Sequence, residues 1–224
     1  MDHTIEARPT YAYLELTLNP GEKVATEGGA MAWMSTGLKI QTSTRGGLMA
    51  GLKRSMLTGE SFFQNTYEAI NEPGILGLTP SQPGDILAHQ MTGKELLLEK
   101  GAYLASHPDV KLSSNFQGLS GLFNEGMFVL RATGDGLLFF NSYGSIEKID
   151  LDGEYIVDNG LAVAWDADLS YTITRARSLG SFLFSDQLLM RFSGRGSLWV
   201  QSRKPRVLAS WAHPFRPVQR RDRR

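Results

Sequence analysis

Three acids, Glu60, Glu125 and Asp186, hold corresponding places along the chain, each opening an apolar run. Carboxylates gathered around an axis attract a cation or a basic partner. Acids also cap turns and pair with cations nearby, here Arg131 and Arg191. Lys53 and Arg54 stand among Leu48, Met49, Leu52, Met56 and Leu57. On a helix those apolar residues cover one broad face, which packs on a core or serves as an adaptable contact. Arg54 and Glu60 are therefore binding candidates, with Glu125 and Asp186 as the matched acids.

Catalytic chemistry finds little support. His3, His89, His107 and His213 have no partner at metal-ligand spacing, so no metal site is expected. Gly59-Glu60-Ser61 puts an acid beside a serine, but no histidine lies near it and no G-x-S-x-G elbow exists. The pairs Gly28-Gly29 and Gly46-Gly47 belong to no nucleotide-binding motif. The chain has 0 cysteines, which excludes disulfides, thiolate catalysis and cysteine-held metals. No catalytic residue and no cofactor is expected. The chain reads as a non-catalytic scaffold or a module that binds a protein or small-ligand partner. Stoichiometric bound metal would favour the other reading, an enzyme site assembled between repeats or subunits.

The clearest charge asymmetry is the C-terminus, where Arg216, Arg220, Arg221, Arg223 and Arg224 crowd Pro217. Residues 211–224 read as a basic, flexible tail. It is either solvated or a tether for RNA, DNA or acidic lipid. A nucleic-acid-binding ring is the alternative function that this tail suggests. Trp33, Trp165, Trp199 and Trp211 are expected to anchor the core or an interface.

These residues need a frame, and the frame reads as strands. The 24 glycines are spread at short intervals, with β-rich runs such as 11–16, 128–132 and 137–140 between them. Short strands with regular turn signals indicate an all-β, sandwich-like fold. Three blocks also recur in order. The first holds Gly21, Gly101 and Gly160 in the turns 18–25, 98–105 and 157–164. The second opens at Glu60, Glu125 and Asp186, and the third at Gly74, Gly136 and Gly196. This pattern predicts one triplicated β domain over 1–210, with repeats at about 11–90, 91–150 and 151–205. The first copy is longer between its turn glycine and its acid, which places a short helical insertion around residues 45–57. A unit of this size buries its sheets poorly alone, and exposed edges need partners. Homo-oligomerisation follows as an expectation.

The 224 residues carry a formal net charge of +0, so no global field draws the molecule to nucleic acid or lipid. Met1-Asp2-His3-Thr4-Ile5-Glu6 has no secretory character, and no apolar run is long enough to suggest a transmembrane segment. A cytoplasmic location is expected.

Leu52-Lys53-Arg54-Ser55-Met56-Leu57-Thr58-Gly59-Glu60-Ser61-Phe62-Phe63 and Glu27-Gly28-Gly29-Ala30-Met31-Ala32-Trp33-Met34 resemble two recurring stretches of one family. It is the mitochondrial-biogenesis family named for altered inheritance of mitochondria in yeast. The resemblance covers about residues 1–205 and leaves the basic tail outside. It implies three fused units of the kind found in the tryptophan RNA-binding attenuation protein, each a short double-stranded β-helix. It also implies a homotrimeric ring of nine such units, with no established reaction, and it adds Trp33 to the binding candidates.

Overall fold

The structure is a computed structural model describing residues 1–43, 64–115, 129–175 and 188–216. The insertion expected around residues 45–57 lies outside them. Seventeen strands dominate the described residues, so the chain is predominantly β. The first stretch holds β1 (Asp2–Glu6), β2 (Tyr13–Leu18), β3 (Lys23–Glu27), β4 (Met31–Met34), β5 (Leu38–Ser43), β6 (Gln64–Ala69) and β7 (Gly74–Leu78). The second holds β8 (Ile86–Thr92), β9 (Leu96–Glu99), β10 (Tyr103–Ser106), β11 (Lys111–Asn115), β12 (Val129–Thr133) and β13 (Asp135–Asn141). The third holds β14 (Ile146–Asp158), β15 (Ala162–Asp166), β16 (Ser170–Arg175) and β17 (Leu188–Gln201). A helix, α1 (Pro205–Ala212), and a 3-10 turn (His213–Phe215) follow. The expected boundary between domain and tail, at residue 211, therefore falls inside a helix.

Sequence pattern explains the strands. In β2, Leu14, Leu16 and Leu18 alternate with half-buried Tyr13, Glu15 and Thr17, the period of a sheet with one covered face. All four residues of β10 and the first four of β15 are apolar or small, and all of them are buried. Both lie between neighbouring strands and are covered on both faces.

All the pairings between these strands are antiparallel, and an isolated parallel bridge joins Gly84 and Gly144. β7 pairs with β2 and β4, and β6 pairs with β3 and β5. β13 pairs with β8 and β10, and β12 pairs with β9 and β11. β17 is long enough to take three partners, β14 along its length, β15 near its end and β16 near its start. Gly153 and Gly194 sit opposite each other in the β14–β17 pair, both at positive φ (125° and 122°). A side chain resists that backbone, so the two glycines let both long strands bend at one place. Two further pairings join the stretches: β10 lies on β3, and β15 lies on β9.

The core runs through the whole molecule as three adjoining clusters. One gathers Leu14, Leu16, Tyr67, Leu76 and Phe139, the next Leu98, Tyr103, Phe140 and Trp199, and the last Trp165, Met190 and Phe192. Each fully buried side chain of this size contributes about 2 kcal/mol. The Tyr103 hydroxyl accepts from Gln64 Nε2 (2.9 Å), donates to Ala25 O (3.1 Å) and lies 3.1 Å from Ser106 Oγ. One phenol thereby ties β6, β3 and β10 together. The connecting segments are stapled side by side: Ala12 N donates to Gly84 O and Asp85 N to Gly144 O, both at 2.9 Å. Asp85, itself buried, also takes a two-pronged hydrogen bond from Arg8 (2.7 and 2.9 Å), which raises the pKa of the guanidinium.

Two sequence expectations need correction. Gly21 lies between β2 and β3, whereas Gly101 and Gly160 lie in the β9–β10 and β14–β15 connections. The glycine that shares their place is Gly29, between β3 and β4. The Gly21 motif looked similar because any hairpin turn places a glycine between apolar runs. Second, the boundaries drawn at 90/91 and 150/151 fall inside β8 and β14. The strands cross those points without a break, and the nearest connections are the segments around Gly84 and Gly144.

Candidate functional site

Of the sequence candidates, Arg54, Glu60, Glu125, Asp186, Arg220, Arg221, Arg223 and Arg224 lie outside the described residues. Arg216 is exposed just after the 3-10 turn. Arg131 meets Glu95 across the β9–β12 pair, and Arg191 meets Glu154 across β14–β17. Glu95 directly precedes β9 and Glu154 lies in β14, while the acids Glu125 and Asp186 that precede the arginines in sequence lie outside the described residues. Trp165 and Trp199 are buried as expected. Trp211 is not a core anchor: it is 68% exposed.

Trp33 is the candidate that the structure places clearly. It lies on β4 opposite Gly77 of β7, with Tyr13 edge-on at 5.3 Å and its Nε1 donating to Glu15 Oε2 at 3.4 Å. Gly77 is what admits the ring, because a Cβ there would come within 2.0 Å of it. At the corresponding pairs of the other stretches the bulk is on the opposite strand: Ala105 faces Phe139, and Ala164 faces Trp199. All three strands carry an irregularity in register immediately beforehand, at Met31/Trp33, Tyr103/Ala105 and Ala162/Ala164.

The surroundings of these strands differ sharply. β10 is hydrogen-bonded on both sides, by β13 and β3, and all four of its residues are buried. β15 is held between β17 and β9 and is equally covered. β4 has β7 alone among the described residues, and Met31, Ala32 and Trp33 are exposed. The same contrast holds for the strands that receive them. β3 and β9 are paired on both sides, whereas the last part of β14 (154–158) has only β17 among the described residues and exposes Tyr155 and Ile156. Four of the exposed large apolar side chains, Met31, Trp33, Tyr155 and Ile156, thus belong to two half-paired strands. Unpaired backbone donors and acceptors beside apolar side chains make a template for another strand.

The ends of β3, β9 and β14 carry a matched set of acids, Glu27, Glu99 and Asp158. Glu99 caps the following turn by accepting from Gly101 N at 2.8 Å, and Asp158 pairs with Lys204. Burial, reinforced by the nearby Glu99 and opposed by Lys100, pushes the Glu27 carboxyl up to about 7. Sequence comparison missed this set, although its signal is present: an acid, any residue, glycine, then a small or apolar residue at 27–30, 99–102 and 158–161.

A polar cleft of about 480 Å³ opens between the β9–β10 and β14–β15 turns and the start of α1. Asn141 and Asn159 line it, and the Oδ1 of each lacks a hydrogen-bond partner. Asn141 Nδ2 donates to Gly101 O at 3.4 Å, which sets the orientation of that amide. Among the described residues no three His, Asp or Glu side chains come together as a metal site. His89 packs edge-on against Trp199, and burial lowers its pKa. No helix among the described residues is long and apolar enough to cross a membrane.

Fold and edges together define an all-β chain in which β4 and the last part of β14 are among the edge strands of the described residues and both carry exposed large apolar side chains. Residues 3–203 match the family model for mitochondrial biogenesis AIM24, and the chain belongs to that family. It is 32% identical over 213 residues to an uncharacterized protein of Streptococcus pyogenes serotype M6, covering 90% of this chain and 86% of that one. A crystal structure of a Streptococcus pyogenes protein superposes with a TM-score of 0.81 at 30% identity, covering 96% of this chain and 99% of the other.

Proposed function

We propose that the chain is a non-catalytic β-scaffold made of three copies of one six-strand unit, and that it closes into a homotrimeric ring through β4 and the last part of β14. The observation that carries this reading is the contrast between covered and uncovered equivalents. In order, a unit has strands A to F, with pairings A–F, C–F, B–E and D–E. β2 to β7 fit that scheme, and so do β8 to β13. In the third copy β14 serves as A and B, and β17 as E and F, with β15 and β16 as C and D. The third sequence block agrees in register, because Leu76, Leu138 and Leu198 lie opposite Met34, Ser106 and Trp165.

Successive units join C to B: β10 on β3 and β15 on β9. That rule leaves β4 as a C strand without a B strand, and the last part of β14 as a B strand without a C strand. Applied once more, it pairs them between chains. The two internal junctions set Ala105 opposite Thr26 and Ala164 opposite Leu98. The intermolecular register that follows is Trp33 opposite Val157, and Met34 opposite Ile156. Such a head-to-tail contact repeats until it closes, or else grows into a filament. The resemblance noted from the sequence supports closure at three.

Sedimentation of the purified chain tests this directly. The expected mass is three times the 24.7 kDa chain at micromolar concentration. A monomer under those conditions contradicts the assembly, and a distribution of ever larger species contradicts the closure.

A further inference from the structure

α1 is an amphipathic helix that touches no core. None of its residues is buried, and Val207 (62% exposed), Leu208 (45%), Trp211 (68%) and, from the turn after it, Phe215 (73%) present their side chains outward. Trp211 and Phe215 lie against each other with ring centroids 5.4 Å apart. A helix of 8 residues draws its stability from a covered apolar face. Among the described residues nothing covers that face of α1.

The charges around the helix indicate what fits it. Eight of the chain's 23 Lys and Arg residues, and one of its 23 acids, fall after Ser202. The preceding 202 residues therefore hold 15 cations against 22 acids, a net of −7, and the segment from Arg203 onward holds +7. Sequence neighbours Arg203, Lys204 and Arg206 flank the start of the helix, and Arg216 follows Phe215. Trp and Phe on one face, cations at both ends and almost no acid form the signature of a helix lying in a membrane interface. Aromatic rings settle at the depth of the headgroups, and arginines pair with lipid phosphates. From Lys204 onward the segment lies beyond the 3–203 region that matches the family model.

We propose that α1, with the basic segment after it, docks peripherally on an anionic lipid surface, while the acidic body remains off it. The proposal does not rest on ring formation, although three copies on one ring would bind more strongly through multivalency.

Co-sedimentation of the full chain with two kinds of vesicle tests it. One is phosphatidylcholine alone, and the other contains about one-third phosphatidylglycerol. The chain should pellet with the anionic vesicles at low salt, be released as salt rises, and stay in solution with the neutral ones. Trp211→Glu, at an exposed position, should weaken vesicle binding about tenfold or more and leave the solution mass unchanged. Replacing Arg216, Arg220, Arg221, Arg223 and Arg224 with serine should do the same. Failure of the wild-type chain to bind anionic vesicles overturns the proposal, and so does binding that is indifferent to Trp211→Glu. A lower solution mass for Trp211→Glu, without vesicle binding by the wild type, would assign the face to a second copy. Binding of single-stranded RNA, without vesicle binding, would assign the tail to nucleic acid.

Discussion

Ile156→Glu is expected to convert the assembly into 24.7 kDa single chains while leaving each chain folded. Ile156 is 49% exposed in the isolated chain, so a glutamate there meets water and costs the fold little. Its equivalents at the internal junctions, Ala25 and Leu97, are each only 7% exposed. At a closed ring junction residue 156 would be buried in the same way, opposite Met34. Burying a carboxylate there without a cation costs about 3 kcal/mol or more, on the order of a hundredfold in affinity per junction. A ring breaks when its junctions weaken together. Ile70→Glu provides the control. It changes a side chain of similar exposure (44%) that follows β6 and belongs to neither β4 nor β14. It should sediment as the wild type does. Equal masses for the two variants would remove β14 from the interface.

Melting temperature should fall as pH rises from about 5 to 8, and Glu27→Gln should flatten that fall. The folded state holds the Glu27 proton up to about 7, against an ordinary value of 4.5. Between those values the native chain binds a proton that the unfolded chain releases. Stability from this group is therefore complete below the ordinary value and is lost as pH climbs through about 7. The whole shift corresponds to about 3 kcal/mol, and the carboxyl's partial contact with water reduces it to about 1–3 kcal/mol. Glutamine keeps the shape without a charge to desolvate, so the variant should gain that amount at pH 8. Glu99→Gln should act in the same direction more weakly, because burial outweighs repulsion as the cause. A Glu27→Gln variant that tracks the wild type across this range contradicts the assignment to Glu27.

What could be read from the sequence, and what could not, divides along physical lines. Alternation in residues 13–18 and the apolar run at 103–106 announce strands because burial of side chains decides them locally. Gly74, Gly136 and Gly196 of the third block precede Leu76, Leu138 and Leu198, which lie in β7, β13 and β17 as the apolar runs there suggest. The first block failed at Gly21, because a hairpin turn needs a glycine wherever it occurs and does not say which turn it is. The acids Glu27, Glu99 and Asp158 escaped notice since a turn acid is common, and only the strand bounds show that each ends a strand, β3, β9 and β14. Trp33 was singled out through family pattern alone. Its physical reason, the bare backbone of Gly77 across the sheet, depends on a partner far away in sequence. α1 was missed because the crowded arginines around Pro217 read as a tail, and the helix start at Pro205, a proline in the first turn where it lacks no needed hydrogen bond, was not weighed.

The absence of natural cysteine makes one measurement decisive for the ring. Opposed residues of antiparallel strands lie about 4.5–5.5 Å apart at Cα, within reach of a disulfide. Met34→Cys and Ile156→Cys placed together in one chain, under mild oxidation, should give a covalent species of three chains on a non-reducing gel, with each single variant remaining uncrosslinked. If the double variant stays a single covalent chain although it sediments with the wild-type mass, β4 and β14 do not meet between copies, and the scaffold is closed by another surface.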